Sequence, residues 1–193
     1  MELIKVINNV SERVVDDLKA KLSEGSRVSI AAASFSIYAF EALKEELENV
    51  DELRFIFTSP TFIKDKVKRE KREFFIPKLN RERNLYGSDF EIKLRNKLEQ
   101  KAIAKECANW IRRKVKFKSN VSQESMGGFI YVNGTAPYAY APFNEFTTTE
   151  LGLDRGNSVY SMVHSSPSPF AEEYLKIFNA QWNDTEKFAD VTD

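Results

Sequence analysis

Two short apolar runs separated by one helical pattern constrain this chain most. Val28-Ser29-Ile30-Ala31-Ala32-Ala33 is apolar at nearly every position, which predicts an internal strand over 27–35. Ile37, Phe40, Leu43 and Leu47 then recur at helical spacing and predict a helix over 36–48. Leu53, Phe55 and Phe57 alternate with Arg54 and Ile56, which predicts a second strand over 53–58. A strand, a helix and a strand joined by short loops make a crossover unit, so the two strands are expected to be parallel. The fold class is therefore α/β.

The flanking sequence adds further elements. Val10, Val14, Leu18 and Leu22 recur every fourth residue and predict a first helix over 8–22 or 9–22, with Ser11 as its cap. Ser88 caps the longest predicted helix, Glu91 completes a capping box, and the helix runs to about 113. Phe90, Leu94 and Leu98, then Ala102 or Ile103, Cys107 and Ile111 form its apolar stripe. Short strands are expected over 115–118, 129–132, 138–142 and 158–164, with turns at Gly127-Gly128 and Asn133-Gly134. A helical turn is expected over 145–151. A last helix over 167–183 is expected to bury Phe170, Tyr174, Leu175, Phe178 and Trp182. At 193 residues the chain fits one domain over 1–183 with a basic insertion at 61–88, followed by an acidic tail or linker at 184–193.

Charge is balanced in the sum and segregated along the chain. The 29 basic and 29 acidic residues divide as 7 against 11 over 1–60, 19 against 8 over 61–118, and 3 against 10 over 119–193. A polyanion responds to the local field and not to the net charge, so the central third is a candidate surface for DNA. Its candidate contacts are Lys64, Lys66, Lys68, Arg69, Lys71, Arg72, Arg81 and Arg83 in the insertion. On the long helix they are Lys93, Lys97, Lys101, Lys105, Arg112 and Arg113. The four lysines recur at every fourth residue and share one helix face. Two readings compete with DNA: a solvated helix face, and a fold that returns the acidic thirds onto the basic one.

Catalytic and cofactor patterns are sparse. There is no phosphate-cradling GxxxxGK[ST] loop and no GxGxxG after a strand, so no site for ATP or a dinucleotide is visible and no cofactor is expected. One cysteine, Cys107, and one histidine, His164, do not supply the four ligands of a structural zinc site, and no metal is expected. Cys107 on an apolar stripe reads as a buried, inert thiol. A lone cysteine and the lack of a signal-like start fit the cytoplasm. No apolar run approaches the roughly 18 to 20 residues that span a bilayer, so no membrane partner is expected.

The order of these pieces resembles a phospholipase D-like domain. The matching runs are Ile30-Ala31-Ala32-Ala33-Ser34-Phe35, Ala39-Phe40-Glu41-Ala42-Leu43-Lys44-Glu45-Glu46-Leu47 and Leu53-Arg54-Phe55-Ile56-Phe57. More narrowly, the chain is similar to the N-terminal domain ahead of the motor in certain bacterial Swi/Snf-type helicases. That likeness rests on Phe57-Thr58-Ser59-Pro60-Thr61-Phe62-Ile63, Arg72-Glu73-Phe74, Glu91-Ile92-Lys93-Leu94-Arg95-Asn96, Ile103-Ala104-Lys105-Glu106-Cys107-Ala108-Asn109-Trp110-Ile111 and Trp182-Asn183-Asp184. It covers nearly the whole chain.

The resemblance implies a three-layer fold with a mostly parallel central sheet and helices on both faces. Active members attack phosphorus with a histidine and steady the phosphoryl oxygens with a lysine, in a His-x-Lys motif. Here the matching stretch is Ser125-Met126-Gly127-Gly128-Phe129-Ile130-Tyr131-Val132, so Met126 replaces the histidine and Gly128 the lysine. Asn144 is retained from the segment that follows. Methionine cannot attack phosphorus and glycine carries no charge, so the resemblance implies a domain without phosphodiesterase chemistry. It implies DNA-binding, targeting or dimerisation within a larger ATP-dependent helicase, with DNA, that protein's motor domain and a second copy as partners. The alternatives are an active nuclease that uses His164 in a rearranged site, and a protein-interaction scaffold.

Overall fold

The computed structural model describes residues 2–59, 97–156 and 160–192. In chain order the elements are β1 (Lys5–Ile7), α1 (Val14–Lys21), β2 (Arg27–Ala32), α2 (Ile37–Glu48), β3 (Glu52–Phe57) and α3 (Lys97–Lys114). They continue with β4 (Val115–Asn120), β5 (Phe129–Asn133), β6 (Pro137–Ala141), β7 (Val163–Pro167), α4 (Phe170–Asn183) and β8 (Phe188–Asp190). Among the described residues the strands form one sheet in the order β1-β7-β6-β5-β2-β3-β4-β8. The fold is α/β, as expected.

The β2-α2-β3 unit forms as its pattern dictates. β2 and β3 are parallel, with Ile30 opposite Phe55. Ser36 caps α2, its Oγ accepting from the backbone N–H groups of Tyr38 at 3.1 Å and Ala39 at 3.4 Å. Phe40, Leu43 and Leu47 are fully buried on the inner side of α2, and such side chains each contribute about 1.5–3 kcal/mol. β2 ends three residues before its expected limit. There Ala33 N–H donates to Asn144 O at 2.7 Å, and Phe146 N–H donates to Ser34 O at 3.0 Å.

The expected mostly parallel sheet is corrected. Among the described strands only β2–β3 and β3–β4 pair in parallel. β2–β5, β5–β6, β6–β7, β1–β7 and β4–β8 are antiparallel. The reason lies in the connections. Three residues join β5 to β6, and a parallel return needs a crossover of a dozen or more.

Other boundaries also move. α1 begins at Val14 and not at residue 8 or 9, because Asn8 and Asn9 build a turn. Asn8 Oδ1 accepts from the N–H groups of Val10 and Ser11, both at 2.9 Å, and Asn9 has φ 56°. The strand expected over 158–164 is β7, which starts at Val163 and continues through Pro167, so α4 starts at Phe170. Phe170 itself is exposed. The segment expected to be an acidic tail or linker contributes β8, whose Ala189 pairs with Ser119 of β4. Phe188 is buried beside Phe178 in the core under α4.

Strand alternation divides the interior in two. Val28, Ile30, Leu53, Phe55, Ile130 and Val132 pack with α1, α2 and α3. Ala31, Ile56, Phe129 and Tyr131 point the opposite way, towards α4.

Candidate nucleic-acid interface

The basic insertion lies outside the described residues. So do Lys64, Lys66, Lys68, Arg69, Lys71, Arg72, Arg81, Arg83 and Lys93, and the capping box of Ser88 with Glu91. Lys97 is the first residue of α3.

α3 packs on α2 through Cys107 and Trp110, with Ile103 and Ile111 half-buried. Ala102, the other candidate for the stripe, is exposed. Trp110 Nε1 donates to Leu47 O at 2.9 Å, and its ring meets Phe40 at a centroid distance of 5.0 Å. Burial, then the nearby Glu41, push the Cys107 thiol up to about 12, so it stays neutral and a poor nucleophile.

At about 100° per residue, Lys101, Lys105 and Arg112 fall within about 40° of one another on the helix and span roughly 16 Å along it. All three are exposed, and among the described residues none makes an ion pair with a carboxylate. Arg112 donates to Asn109 Oδ1 at 3.2 Å. Glu106, on the same helix, pairs with Lys44.

Two neighbours are already engaged. Arg113 grips both carboxylate oxygens of Glu48, at 2.9 and 3.0 Å. Lys114 donates to Val50 O at 2.7 Å. The folding-back of acids onto the basic third therefore holds for Arg113, and also for Lys116 with Glu52 at 2.9 Å. It does not reach Lys101, Lys105 and Arg112.

Two of the positions matched to the phosphodiesterase motif, Gly128 and Asn144, lie near the end of β2. Gly128 O accepts from Phe143 N–H at 2.9 Å, and Asn144 O holds Ala33. A Cβ on Gly128 would lie 2.0 Å from Phe143 O and 2.8 Å from Asn144 Cα. Backbone thus closes the place where a lysine would stand. The Met126 side chain packs with the apolar cluster of Phe129, Phe178 and Phe188, and Asn144 is exposed. His164 is exposed on β7 opposite Val6 and Ala141, with no hydrogen bond among the described residues to orient or activate it. Among the described residues no group of three His, Cys, Asp or Glu is placed to hold a metal ion. No helix there is long and apolar enough to cross a membrane.

Sequence reasoning missed Arg27 and Arg54, which line a cleft on the α4 side of the sheet. The available signal was Arg54 itself, a charge set between Leu53 and Phe55 in an internal strand.

Compared with known proteins, the chain matches no family model and no curated protein.

Proposed function

We propose that this chain is a non-catalytic DNA-binding module that also serves targeting or dimerisation within a larger Swi/Snf-type helicase, on a phospholipase D-like scaffold that has lost its chemistry. The observation that carries the reading is the exposed stripe of Lys101, Lys105 and Arg112, three cations on one face of α3 with no carboxylate partner among the described residues. A stripe of roughly 16 Å runs past about five phosphates of one strand at 3.4 Å each. Such contacts fix position without reading bases, so binding is sequence-tolerant. The closed backbone at Gly128 supports the non-catalytic part. The helicase assignment rests on the ordered motifs of the sequence, and ATP hydrolysis belongs to the parent protein's motor.

Fluorescence anisotropy with a labelled duplex, across a salt series, tests the reading. The wild type binds with affinity that falls steeply with salt. The double variant Lys101→Glu, Lys105→Glu binds at least about tenfold more weakly, and its log–log salt slope is shallower by about 2. Equal affinity and equal slope in the two proteins would remove α3 from the interface.

A further inference from the structure

We infer that the cleft between the sheet and α4 is a binding site for a phosphate monoester, with the guanidinium groups of Arg27 and Arg54 as its cationic contacts. The cleft measures about 300 Å³, at the small end of the range for ligand pockets. Arg27 and Arg54 rise from neighbouring strands, Tyr131 and Asn133 from β5, and Asn179 descends from α4. The site is thus built on regular elements from both of its walls.

Arg54 is the central observation. It is half-buried, and its Nη2 donates to Ser29 Oγ at 3.1 Å. Its guanidinium carbon lies 4.9 Å from the Phe178 ring centroid and 5.5 Å from that of Trp182. Stacked on aromatics and tied by one hydroxyl, the group is held in place with donors to spare. Among the described residues it has no carboxylate within ion-pair distance. Burial pulls its pKa down, Glu52 pulls it up, and Arg27 pulls it down again. A guanidinium nevertheless keeps its proton, so the charge persists and calls for an anion.

The one carboxylate among the described residues that line the cleft does not supply it. Glu52 is bound to Lys116 at 2.9 Å, and its pKa is lowered first by that contact. Among the described residues that line the cleft, Arg27 and Arg54 outnumber Glu52, which Lys116 already engages, so the lining is left positive, the sign a phosphate requires. Tyr131 adds a neutral donor, because burial and then Glu172 hold its phenol above the ordinary value of 10. Asn133 and Asn179 add amide donors at the rim. A planar fork meeting phosphate oxygens is the geometry at which arginine exceeds lysine. This site lies on the opposite face of the sheet from α3 and stands independently of the DNA reading.

Isothermal titration at fixed ionic strength in chloride tests it, with phenyl phosphate and inorganic phosphate as probes. Two further probes are a thymidine trinucleotide with and without a 5′-phosphate. The wild type binds phenyl phosphate, Arg27→Ala binds it about tenfold more weakly, and Arg54→Met shows no heat. Arg27 stands exposed at the start of β2, so its variant keeps the site testable if Arg54→Met fails to fold. Tighter binding of the phosphorylated trinucleotide than of phenyl phosphate supports the site and makes a strand end the source. Equal or weaker binding supports it and makes the source a small phosphorylated molecule. No binding of phenyl phosphate by the wild type, or equal binding by wild type and Arg27→Ala, overturns the proposal.

Discussion

The sheet face under α1, α2 and α3 presents Val28, Ile30, Leu53, Phe55, Phe57 and Val115, whereas the face under α4 presents Arg27, Ser29, Arg54, Lys116 and Lys118 around a smaller apolar patch. The first face is closed by aromatic contacts. Phe35 meets Phe55 at 5.5 Å and Phe146 at 5.1 Å, and Phe57 stacks on Phe117 at 5.6 Å. On the second face α4 is the one helix among the described residues, and cations are held by aromatics and carbonyls. Lys118 Nζ donates to Trp182 O at 2.6 Å and lies 5.1 Å from that ring. The contrast is one of composition: apolar area is buried on the first face, and on the second Arg27 and Arg54 have no carboxylate within ion-pair distance among the described residues.

That division fails if the two faces respond alike to substitution. Trp110→Ala has the largest expected effect. It removes the ring packed on Phe40 and the indole donor to the Leu47 carbonyl, so unfolding free energy in urea falls by about 3–5 kcal/mol. A loss below about 1 kcal/mol would mean that α3 adds little to the well-covered face.

Glu150 sharpens the comparison at the rim of that face. It is largely buried, and burial followed by Glu145 raises its carboxyl from the ordinary 4.5 to about 7. Between these values the folded state holds a proton that the unfolded state has released. This group's contribution to stability therefore declines as pH rises from about 4.5 to about 7. Glu150→Gln removes that decline, so the variant gains about 1–3 kcal/mol over wild type at pH 8 and little at pH 4.5. Denaturant titrations at the two pH values check this, and a gain equal at both would exclude the buried carboxylate as its source.

Arg54→Met is expected to have the smallest effect on stability. An apolar chain of similar length keeps the contact with Phe178 and Trp182 and removes a desolvated charge, so unfolding free energy stays within about 1 kcal/mol of wild type. A loss comparable to that of Trp110→Ala would make Arg54 a structural residue of its face.

Legibility in the sequence follows the same line. The β2-α2-β3 unit was readable because residues 28–33 form a nearly continuous apolar run, Ile37, Phe40, Leu43 and Leu47 keep a helical period, and Leu53, Phe55 and Phe57 keep a period of two. Strand direction was not readable from Phe129 to Val132, since an apolar run looks the same in either sense. Asn133-Gly134, a hairpin signal, did point to the antiparallel side. β1 and β8 are three residues long and carry too little pattern to stand out. Lys101, Lys105 and Arg112 were legible as cations on one helix. That Arg113 is met by Glu48, and Lys116 by Glu52, depends on partners some 65 residues away in sequence, which spacing does not encode. For Gly128 the sequence offered only a position that the resemblance aligns with a lysine, whereas the backbone contact with Phe143 emerges from the fold.

The two parallel pairings differ in what separates their strands along the chain. β2 and β3 are joined through residues 33–51, while β3 and β4 are joined through residues 58–114, a link three times as long. Closing the longer loop from the unfolded chain costs about 1 kcal/mol more. The contacts of β4 are correspondingly non-local, and non-local pairing is slow. The β2-α2-β3 unit is therefore the kinetically cheaper nucleus. The helix bearing the exposed cations, α3, ends on the strand that must find its neighbour over the greater distance.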